Sequence, residues 1–272
     1  MSAERREGLF AHPEDVHCVL FHGAVLAAYG LAFFLWTHPE TSGLDTRAEQ
    51  ALFVAVCAPL LGWIAGIDLG VVYHNHAHRP VFRSARLNRW ITRTWGLPSG
   101  WPAILWQHLH LRVHHAHFLG PLDWSVPRRR PDGSFEPLWR YALLQWPFRS
   151  GYHLLRDARE GRLRVSKVAA DCLWFAALWS IPFWIDPWMG LWLWILPQLF
   201  ANHVTLSVGM YVQHAGCEHY PADPGHPHSN DFLAPGYNRT MFNIGYHAEH
   251  HDHPAAHWTE LPALHAQGRS VP

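Results

Sequence analysis

The chain has 272 residues, a formal net charge of zero at pH 7 and 49% hydrophobic residues. Without net charge it creates no long-range field that would draw it to nucleic acid. Its four cysteines are scattered and form no C-x-x-C pair, which argues against a disulfide framework and against a thiolate zinc site. The 24 histidines and 16 tryptophans are far above ordinary usage, so these two residue types carry most of the information about function.

Four apolar blocks in which charged residues are rare follow one another along the chain. A bilayer-spanning helix needs about 20 mostly apolar residues, and the blocks approach that length when their flanks are included. Buried helices of a soluble core are the alternative, but Trp36, Trp184 and Trp188 stand at block ends, as is typical of membrane interfaces. We therefore predict transmembrane spans at about residues 16–36, 50–73, 168–185 and 188–211.

The basic residues are unevenly placed, since 16 of the 21 fall between Arg79 and Lys167. Because basic loops tend to stay in the cytoplasm, this segment is predicted to be cytoplasmic, and the connections 37–49 and 186–187 are predicted to lie on the other side. The result is an all-α integral membrane protein with four transmembrane helices in two hairpins, both termini in the cytoplasm and a cytosolic helical cap. We expect residues 1–272 to form one membrane domain.

Histidines concentrate at the cytoplasmic side, where this topology brings the spans together. Three stretches read HNHAH (74–78), HLRVHH (110–115) and HAEHH (247–251), and a lone histidine ends the fourth span. Spacings of three and four residues put side chains on one helix face, so each stretch can present two or three imidazoles to one point. The candidate metal ligands are His74, His78, His110, His114, His115, His214, His247, His250 and His251.

Nine imidazoles are more than one tetrahedral ion can use, so two metal ions are predicted. Imidazole binds zinc, copper, iron and nickel, and the residue type alone does not name the metal. A zinc protease is disfavoured because H-E-x-x-H is absent, and the inverted H-x-x-E-H would need a histidine where Tyr246 stands. A surface histidine run would explain one stretch, but not three with regular spacing on one side of the membrane.

These stretches resemble the three histidine boxes of the membrane fatty acid desaturase/hydroxylase superfamily, H-x(3,4)-H, H-x(2,3)-H-H and H/Q-x(2,3)-H-H. His214 is similar to the isolated histidine that such enzymes often carry before the last box. The resemblance extends from about the second apolar block to the C-terminus. It implies a non-haem centre of two Fe ions held mainly by histidine, O2 as co-substrate, an external electron donor, and a helical fold with the metals under a cytosolic cap.

Six further residues are candidates for orienting the ligands or contacting substrate: Asp68, Asp123, Asn202, His203, Asn243 and Glu249. Asp68 is an acid near the cytoplasmic end of the second span, where a charge is costly and often functional. Asp123 and Glu249 are acids beside histidine boxes, and such carboxylates commonly hold a ligating imidazole in place. His203 precedes His214 by eleven residues and is expected deeper on the same helix face, in the wall of an apolar tunnel.

The region 131–165 mixes aromatic residues with arginines, and three interpretations of it stay open. It could be an amphipathic element on the membrane surface, a docking site for an acidic electron-transfer partner, or a solvated part of the cap. No G-x-G-x-x-G or H-P-G-G motif is visible, so electrons are expected from a separate protein of the ferredoxin, rubredoxin or cytochrome b5 type with its reductase.

The favoured function is O2-dependent desaturation of an unactivated C–H bond in a long-chain fatty acyl or related lipid. The nearest alternative is a hydroxylase or ketolase of a lipid, alkane or carotenoid, because both reactions begin with the same hydrogen abstraction. Asn75 stands where the resembling carotenoid ketolases commonly carry aspartate, which weakens the ketolase alternative. A non-catalytic metal-binding protein or a transporter is disfavoured, since a transporter would carry polar ligands through several spans. The arginine bias favours a bacterial inner membrane.

Overall fold

A computed structural model describes residues 8–218 and 227–268. In those ranges the chain is all-helical, with sixteen α-helices and two isolated β-bridges in place of any sheet. The first eight helices are α1 (Asp15–Thr37), α2 (Pro39–Ser42), α3 (Arg47–Ile67), α4 (His74–His78), α5 (Ala85–Trp95), α6 (Ala103–His108), α7 (His115–His117) and α8 (Leu138–Leu144). The other eight are α9 (Ser150–Arg159), α10 (Val165–Ile185), α11 (Pro187–Met189), α12 (Leu196–Phe200), α13 (Ser207–His214), α14 (Pro235–Thr240), α15 (His247–Asp252) and α16 (Leu261–Ala266).

Three helical segments are long and apolar enough to cross a membrane: Asp15–Thr37, Arg47–His78 and Val165–Ile185. Each contains one of the spans predicted from the sequence. The second segment is the longest because α3 continues through a π-helical stretch, Asp68–Tyr73, directly into α4. The all-helical character of the chain is therefore confirmed over the described residues, and three of the predicted spans coincide with helices that could cross a membrane.

The fourth predicted span lies in the continuous helical run 187–214, which is not one of those three segments. In this run α11, α12 and α13 alternate with two wider, π-helical stretches, Gly190–Ile195 and Ala201–Leu206. Gln198 and Asn202 place polar side chains in its middle, which lowers its apolar character. Length and composition thus support three crossings, and the fourth stays a prediction.

The N-termini of α3 and of the run 187–214 are each capped by a side chain. The hydroxyl of Thr46 accepts a hydrogen bond from the Glu49 backbone N–H at 3.2 Å, and the Glu49 carboxylate accepts one from the Thr46 N–H at 2.8 Å. This capping box satisfies two backbone donors at the start of α3. The run 187–214 begins where the Asp186 carboxylate accepts from the Met189 N–H, with Pro187 in the first helical position. Both helical segments therefore begin where the sequence supplies a cap.

The segment α3 approaches the run 187–214 so closely that glycine is required at the contact. A Cβ atom on Gly62 would lie 2.5 Å from the carbonyl oxygen of Pro197, and one on Gly66 would lie 2.4 Å from Cβ of Thr205. Those separations are far below van der Waals contact, so any larger residue would force the two helices apart. This close packing fixes the geometry of the helices that carry the histidines.

The surface and the interior of the fold differ in the way expected for a membrane protein. Large apolar side chains are exposed along the outer faces of the long helices, where lipid would cover them: Leu20, Leu31, Leu52, Leu60, Leu173 and Trp184. The core around the histidine stretches is rich in buried aromatic residues, including Tyr73, Trp95, Trp106 and Trp124. The histidine stretches extend into this aromatic core.

Candidate metal centre

Five imidazoles converge in what we call the first histidine cluster: His74, His78, His110, His115 and His250. One ring nitrogen of each lies within 4.8 Å of those of the others. The neighbouring Nε2 atoms are 3.0 Å apart for His74 and His250, 2.8 Å for His78 and His110, 3.1 Å for His110 and His115, and 3.2 Å for His115 and His250. All five Nε2 atoms therefore surround one point.

Four further imidazoles form the second histidine cluster: His114, His214, His247 and His251. The Nε2 atom of His251 lies 3.3 Å from that of His114 and 3.2 Å from that of His247. The Nε2 atom of His247 also lies 3.2 Å from that of His214. The lone histidine at the end of α13 thus lies among box histidines, although it belongs to none of the boxes.

The two clusters are adjacent because neighbouring residues in the sequence belong to different clusters. His114 and His115 belong to different clusters and their ring centroids are 5.2 Å apart, and the centroids of His250 and His251 are 5.3 Å apart. The second and third boxes are therefore each divided between the clusters, although each still brings two imidazoles to one point.

The helix type explains the division of the second box. Residues Leu109–His114 are π-helical, and five residues rather than four then complete a turn between hydrogen-bonded groups. His110 consequently lies with His115, not with His114. In α15, which is α-helical, the four-residue spacing brings His247 and His251 together.

The donor set and its spacing fit metal ions. Metal–imidazole bonds of about 2.0–2.1 Å place neighbouring nitrogens of one ion roughly 2.8–3.4 Å apart in octahedral or tetrahedral geometry. The Nε2 separations in the two clusters run from 2.8 to 3.3 Å. Hydrogen bonds alone cannot explain them, because the Nε2 of His110 faces two other Nε2 atoms and carries one proton at most.

Burial favours the neutral form of several rings in the two clusters. It lowers the pKa of His110, His250 and His251 well below the usual imidazole range, and like-charged neighbouring rings lower it further. Burial also lowers the pKa of His115 to about 2. A neutral imidazole offers its lone pair to a metal without first losing a proton.

Two ligand candidates are held by polar or aromatic partners. The Nδ1 atom of His114 lies 2.9 Å from the Asp123 carboxylate and 2.7 Å from the Ser125 hydroxyl, so its Nε2 atom is left to face the second cluster. The ring of Trp106 stacks on that of His110 at a centroid distance of 4.8 Å and an angle of 12°. Such partners fix the tautomer and the ring orientation of a ligating histidine.

A mostly apolar cavity of about 290 Å³ lies between α3 with its extension and the run 187–214. His74 and His110 of the first cluster line it together with His114, His214 and His247 of the second. Its other walls include the glycines Gly66, Gly70 and Gly209 and apolar side chains. Both clusters therefore open onto one apolar space.

The carboxylate of Asp68 contacts residues outside both clusters. It lies 2.7 Å from Nδ1 of His22 and accepts a hydrogen bond of 2.9 Å from Nε1 of Trp95. All three side chains are buried, so this network joins α1, the end of α3 and α5. The acid that the sequence marked as a functional candidate holds helices together.

Asn202 and His203 also serve the packing. The Asn202 side chain accepts from Nε1 of Trp101 at 2.5 Å and donates to the carbonyl oxygen of Ser99 at 2.8 Å. His203 does not line the cavity, and its Nδ1 lies 2.8 Å from the carbonyl oxygen of Ala142 in α8. The expected tunnel wall is corrected here, because π-helical turns at 201–206 shift the face that an α-helix would present.

The remaining two candidates lie beside the third box. Asn243 adopts a positive φ of 58° and donates to the carbonyl oxygen of Trp258 at 3.0 Å, so it shapes the turn that precedes α15. Glu249 is buried, and its carboxylate lies 2.8 Å from Nδ1 of His265. Glu249 thus holds an imidazole, but one outside both clusters.

Comparison with known proteins agrees with this geometry. The family model for fatty acid desaturases matches residues 49–271, which is most of the chain. The chain belongs to the fatty acid desaturase family. The resemblance drawn from the three boxes is therefore confirmed, and family membership supports the predicted class, a membrane oxidoreductase of the desaturase type.

Three relatives illustrate the range of this desaturase family. A human sphingolipid delta(4)-desaturase/C4-monooxygenase is 30% identical over 216 residues, covering 72% of this chain and 60% of the relative. A Candida albicans sphingolipid delta(4)-desaturase is 25% identical over 89% of this chain and 67% of its own length. A beta-carotene ketolase from Paracoccus sp. is 27% identical over 254 residues, covering 89% of this chain and 92% of the ketolase. The match therefore spans under two thirds of the human relative, but nearly all of the ketolase.

Sequence reasoning missed several residues that support the centre of this desaturase-family chain. Ser125 contacts His114, Trp106 stacks on His110, and the Nε1 atom of Trp124 donates to the carbonyl oxygen of Leu109 at 3.0 Å. No spacing rule marks a serine or a tryptophan as a partner of a histidine. The nearest indication in the sequence was Asp123, which directly precedes Trp124 and Ser125.

Proposed function

We propose that the protein is a membrane non-haem diiron oxidoreductase that desaturates a long-chain fatty acyl or related lipid substrate. The observation that carries the proposal is that both histidine clusters line the same apolar cavity. A metal-storage or transport protein would not need a mostly apolar cavity of about 290 Å³ that contacts both histidine clusters.

The first cluster would hold one iron with His74, His78, His110, His115 and His250, and the second would hold the other with His114, His214, His247 and His251. When bound, the two irons would use O2 to supply the oxidant that removes hydrogen from an unactivated C–H bond. The fit of the donor spacing supports this assignment, as does a donor set made of imidazole alone, which suits iron but not magnesium or calcium.

The chain's own residues would orient the ligands and exclude water. Asp123 and Ser125 hold Nδ1 of His114, which keeps its Nε2 turned toward the second cluster. Trp106 limits the rotation of the His110 ring. The buried aromatic side chains around the clusters close the site to bulk water, which protects a reactive centre from side reactions.

The cavity favours a linear apolar substrate. Gly66, Gly70 and Gly209 line it without side chains, and most of its other lining residues outside the histidines are apolar. Two of the three relatives are named as desaturases of sphingolipids, which supports desaturation of a lipid chain. The human relative's name also includes a C4-monooxygenase and the Paracoccus relative is a ketolase, so hydroxylation or ketolation is the second candidate.

The proposed setting is a single membrane domain over residues 1–272. It has four spans in two hairpins, a cytosolic helical cap over the metals, and both termini on the cytoplasmic side of what would be a bacterial inner membrane. The concentration of arginine and lysine between Arg79 and Lys167 supports this orientation. Electrons would come from a separate ferredoxin, rubredoxin or cytochrome b5 type donor with its reductase. Reporter fusions at Gly43 and at Pro272 should give opposite sides, and the same side for both would contradict the two-hairpin topology.

The test of function combines metal analysis with product analysis. The purified protein should hold about two irons per chain, and a host that expresses it with a suitable reductase should accumulate a lipid two mass units lighter than its precursor. A product sixteen mass units heavier would support hydroxylation instead. Stoichiometric zinc with no activity after iron loading would contradict the diiron proposal altogether.

A further inference from the structure

A second groove, of about 560 Å³, opens on the surface formed by α8, the start of α9 and the loop that precedes α8. Five arginines and one acid are its charged lining residues: Arg128, Arg129, Arg130, Arg140, Arg149 and Glu136. None of its lining residues contributes to the apolar cavity beside the histidines. The groove is therefore a separate and strongly basic feature.

Arg149 lies at the buried part of this groove, and its pairing is incomplete. Its side chain is only 9% exposed, and its Nη2 atom lies 2.5 Å from the Glu136 carboxylate. Its Nη1 atom is buried without a hydrogen-bond partner in the described part of the chain. A buried guanidinium N–H that lacks an acceptor is costly, and an oxygen of an anionic ligand would supply one.

Glu136 cannot neutralise the other arginines. Its second carboxylate oxygen already accepts a hydrogen bond of 2.9 Å from the Arg128 backbone N–H. Arg129 pairs with Glu218 at 2.6 Å, whereas the side chains of Arg128, Arg130 and Arg140 are exposed and have no ion-pair partner in the ranges that the structure describes. The groove therefore keeps an excess of positive charge.

Exposed apolar residues surround this charge. Phe148 and Tyr152 line the groove with 66% and 61% of their surface exposed, and Trp139, next to Arg140, is 67% exposed. A soluble face would not display three large aromatic side chains beside its arginines. The combination of arginines and exposed aromatic rings is typical of elements that lie in a membrane interface.

We infer that this groove binds the phosphate headgroup of an anionic phospholipid of the surrounding bilayer. The guanidinium groups would take the phosphate oxygens, since arginine recognises phosphate by paired hydrogen bonds. The aromatic rim would lie among the acyl chains, and the negative surface of the leaflet would attract the arginines. The site goes beyond the proposed oxidation chemistry, because it requires neither iron nor substrate.

The test measures lipid binding by the full-length protein in detergent, with bound lipids counted by native mass spectrometry. The probes are phosphatidylglycerol, which is anionic, and phosphatidylcholine, which carries the same phosphate without net charge. The groove variant is Arg128→Gln with Arg140→Gln. Its matched control, Arg86→Gln with Arg89→Gln, removes the same charge from exposed positions on α5.

The wild-type protein should prefer phosphatidylglycerol, and the groove variant should bind it at least about tenfold more weakly, which corresponds to about 1.4 kcal/mol. The control should stay within about twofold of the wild type, a difference of about 0.4 kcal/mol. Equal losses in the two variants would overturn the inference, because binding would then follow net charge alone.

Two competitors distinguish other occupants. Displacement of the lipid by inorganic phosphate would indicate a soluble phosphate ligand in its place and would overturn the lipid assignment. Displacement by an acidic ferredoxin, together with weaker ferredoxin binding to the groove variant, would indicate a protein-docking surface and would overturn it too. Because no readout depends on turnover, these results stand apart from the outcome of the iron and product analysis.

Discussion

The carboxylate of Asp123 lies 2.9 Å from Nδ1 of His114, and both side chains are buried. The same nitrogen lies 2.7 Å from the Ser125 hydroxyl, which itself donates to Asp123 at 2.8 Å. Carboxylates in this position fix a ligating imidazole and raise its basicity. Asp123, a candidate from the sequence, is thus in direct contact with a cluster histidine.

We predict that Asp123→Asn weakens iron binding at the second cluster roughly 10- to 100-fold, because the neutral amide holds His114 less firmly. Iron retained after dialysis against graded chelator concentrations would measure the change. The matched control is Asp157→Asn, which removes a carboxylate 2.8 Å from Nε2 of His108, a histidine outside both clusters. If both variants lose iron equally, the loss reflects general destabilisation.

His214 provides a test of the ligand assignment outside the boxes. His214→Ala should lower the iron content by about one ion per chain, as His251→Ala should, since each removes an imidazole from the second cluster. His203→Ala should keep its full iron content, because that ring is bonded to the Ala142 carbonyl group. Full iron content and normal turnover in His214→Ala would require a different ligand at this position.

The sequence predicted the centre better than its internal arrangement. Three candidate spans and the convergence of nine histidines followed from apolar length, charge placement and spacing. The division of the histidines between two clusters did not follow from the sequence. In an α-helix His110 would lie beside His114, but the π-helical turn brings it beside His115 instead. The His22–Asp68 contact links residues 46 positions apart, and no local pattern marks such a pair.

The apolar cavity can be narrowed at Gly209, which lines it and has open space where a Cβ would be. Gly209→Leu should therefore fold normally but shift the preference toward shorter or less bulky substrates. Gly30→Leu, on the exposed face of α1, is the control and should leave the product profile unchanged. Product analysis with a series of chain lengths measures the shift, and an unchanged profile in Gly209→Leu would place the substrate elsewhere.

A substitution at the glycine contact between α3 and the run 187–214 should lower stability, unlike the substitution at Gly209. Gly62→Ala would bring a Cβ to 2.5 Å from a backbone oxygen of Pro197, which cannot move away as a flexible side chain can. We expect a loss of about 1–3 kcal/mol in the free energy of unfolding, the usual effect of overpacking. Thermal unfolding in detergent measures it, and a variant as stable as the wild type would show that the two helices separate easily.

The buried pair of His22 and Asp68 should be strongly coupled. Removing one partner leaves the other buried without it, so His22→Ala and Asp68→Ala should each cost about 3–5 kcal/mol of stability. The double variant should cost less than the sum, by roughly 0.5–3 kcal/mol. Asp15 lies two helical turns away from His22 on α1 and contacts His257. In a second double-mutant cycle, the stability losses of His22→Ala and Asp15→Asn should add within about 0.5 kcal/mol. Additivity in both cycles would mean that His22 and Asp68 do not stabilise each other.

Asp157 gives a prediction about pH. Burial by itself would raise the pKa of this carboxyl, but hydrogen bonds from Arg162, His108 and Arg156 outweigh it and lower the pKa to about 2. An aspartate in the unfolded chain titrates near pH 4. Because the folded-state pKa is the lower one, the stabilisation is fully present above about pH 4 and is lost as the pH falls toward 2.

Asp157→Asn should therefore be less stable than the wild type by about 2 kcal/mol at pH 7. The difference in melting temperature between the two proteins should shrink between pH 4 and pH 2, and a difference that stays constant over this range would show that the carboxylate charge does not contribute to stability.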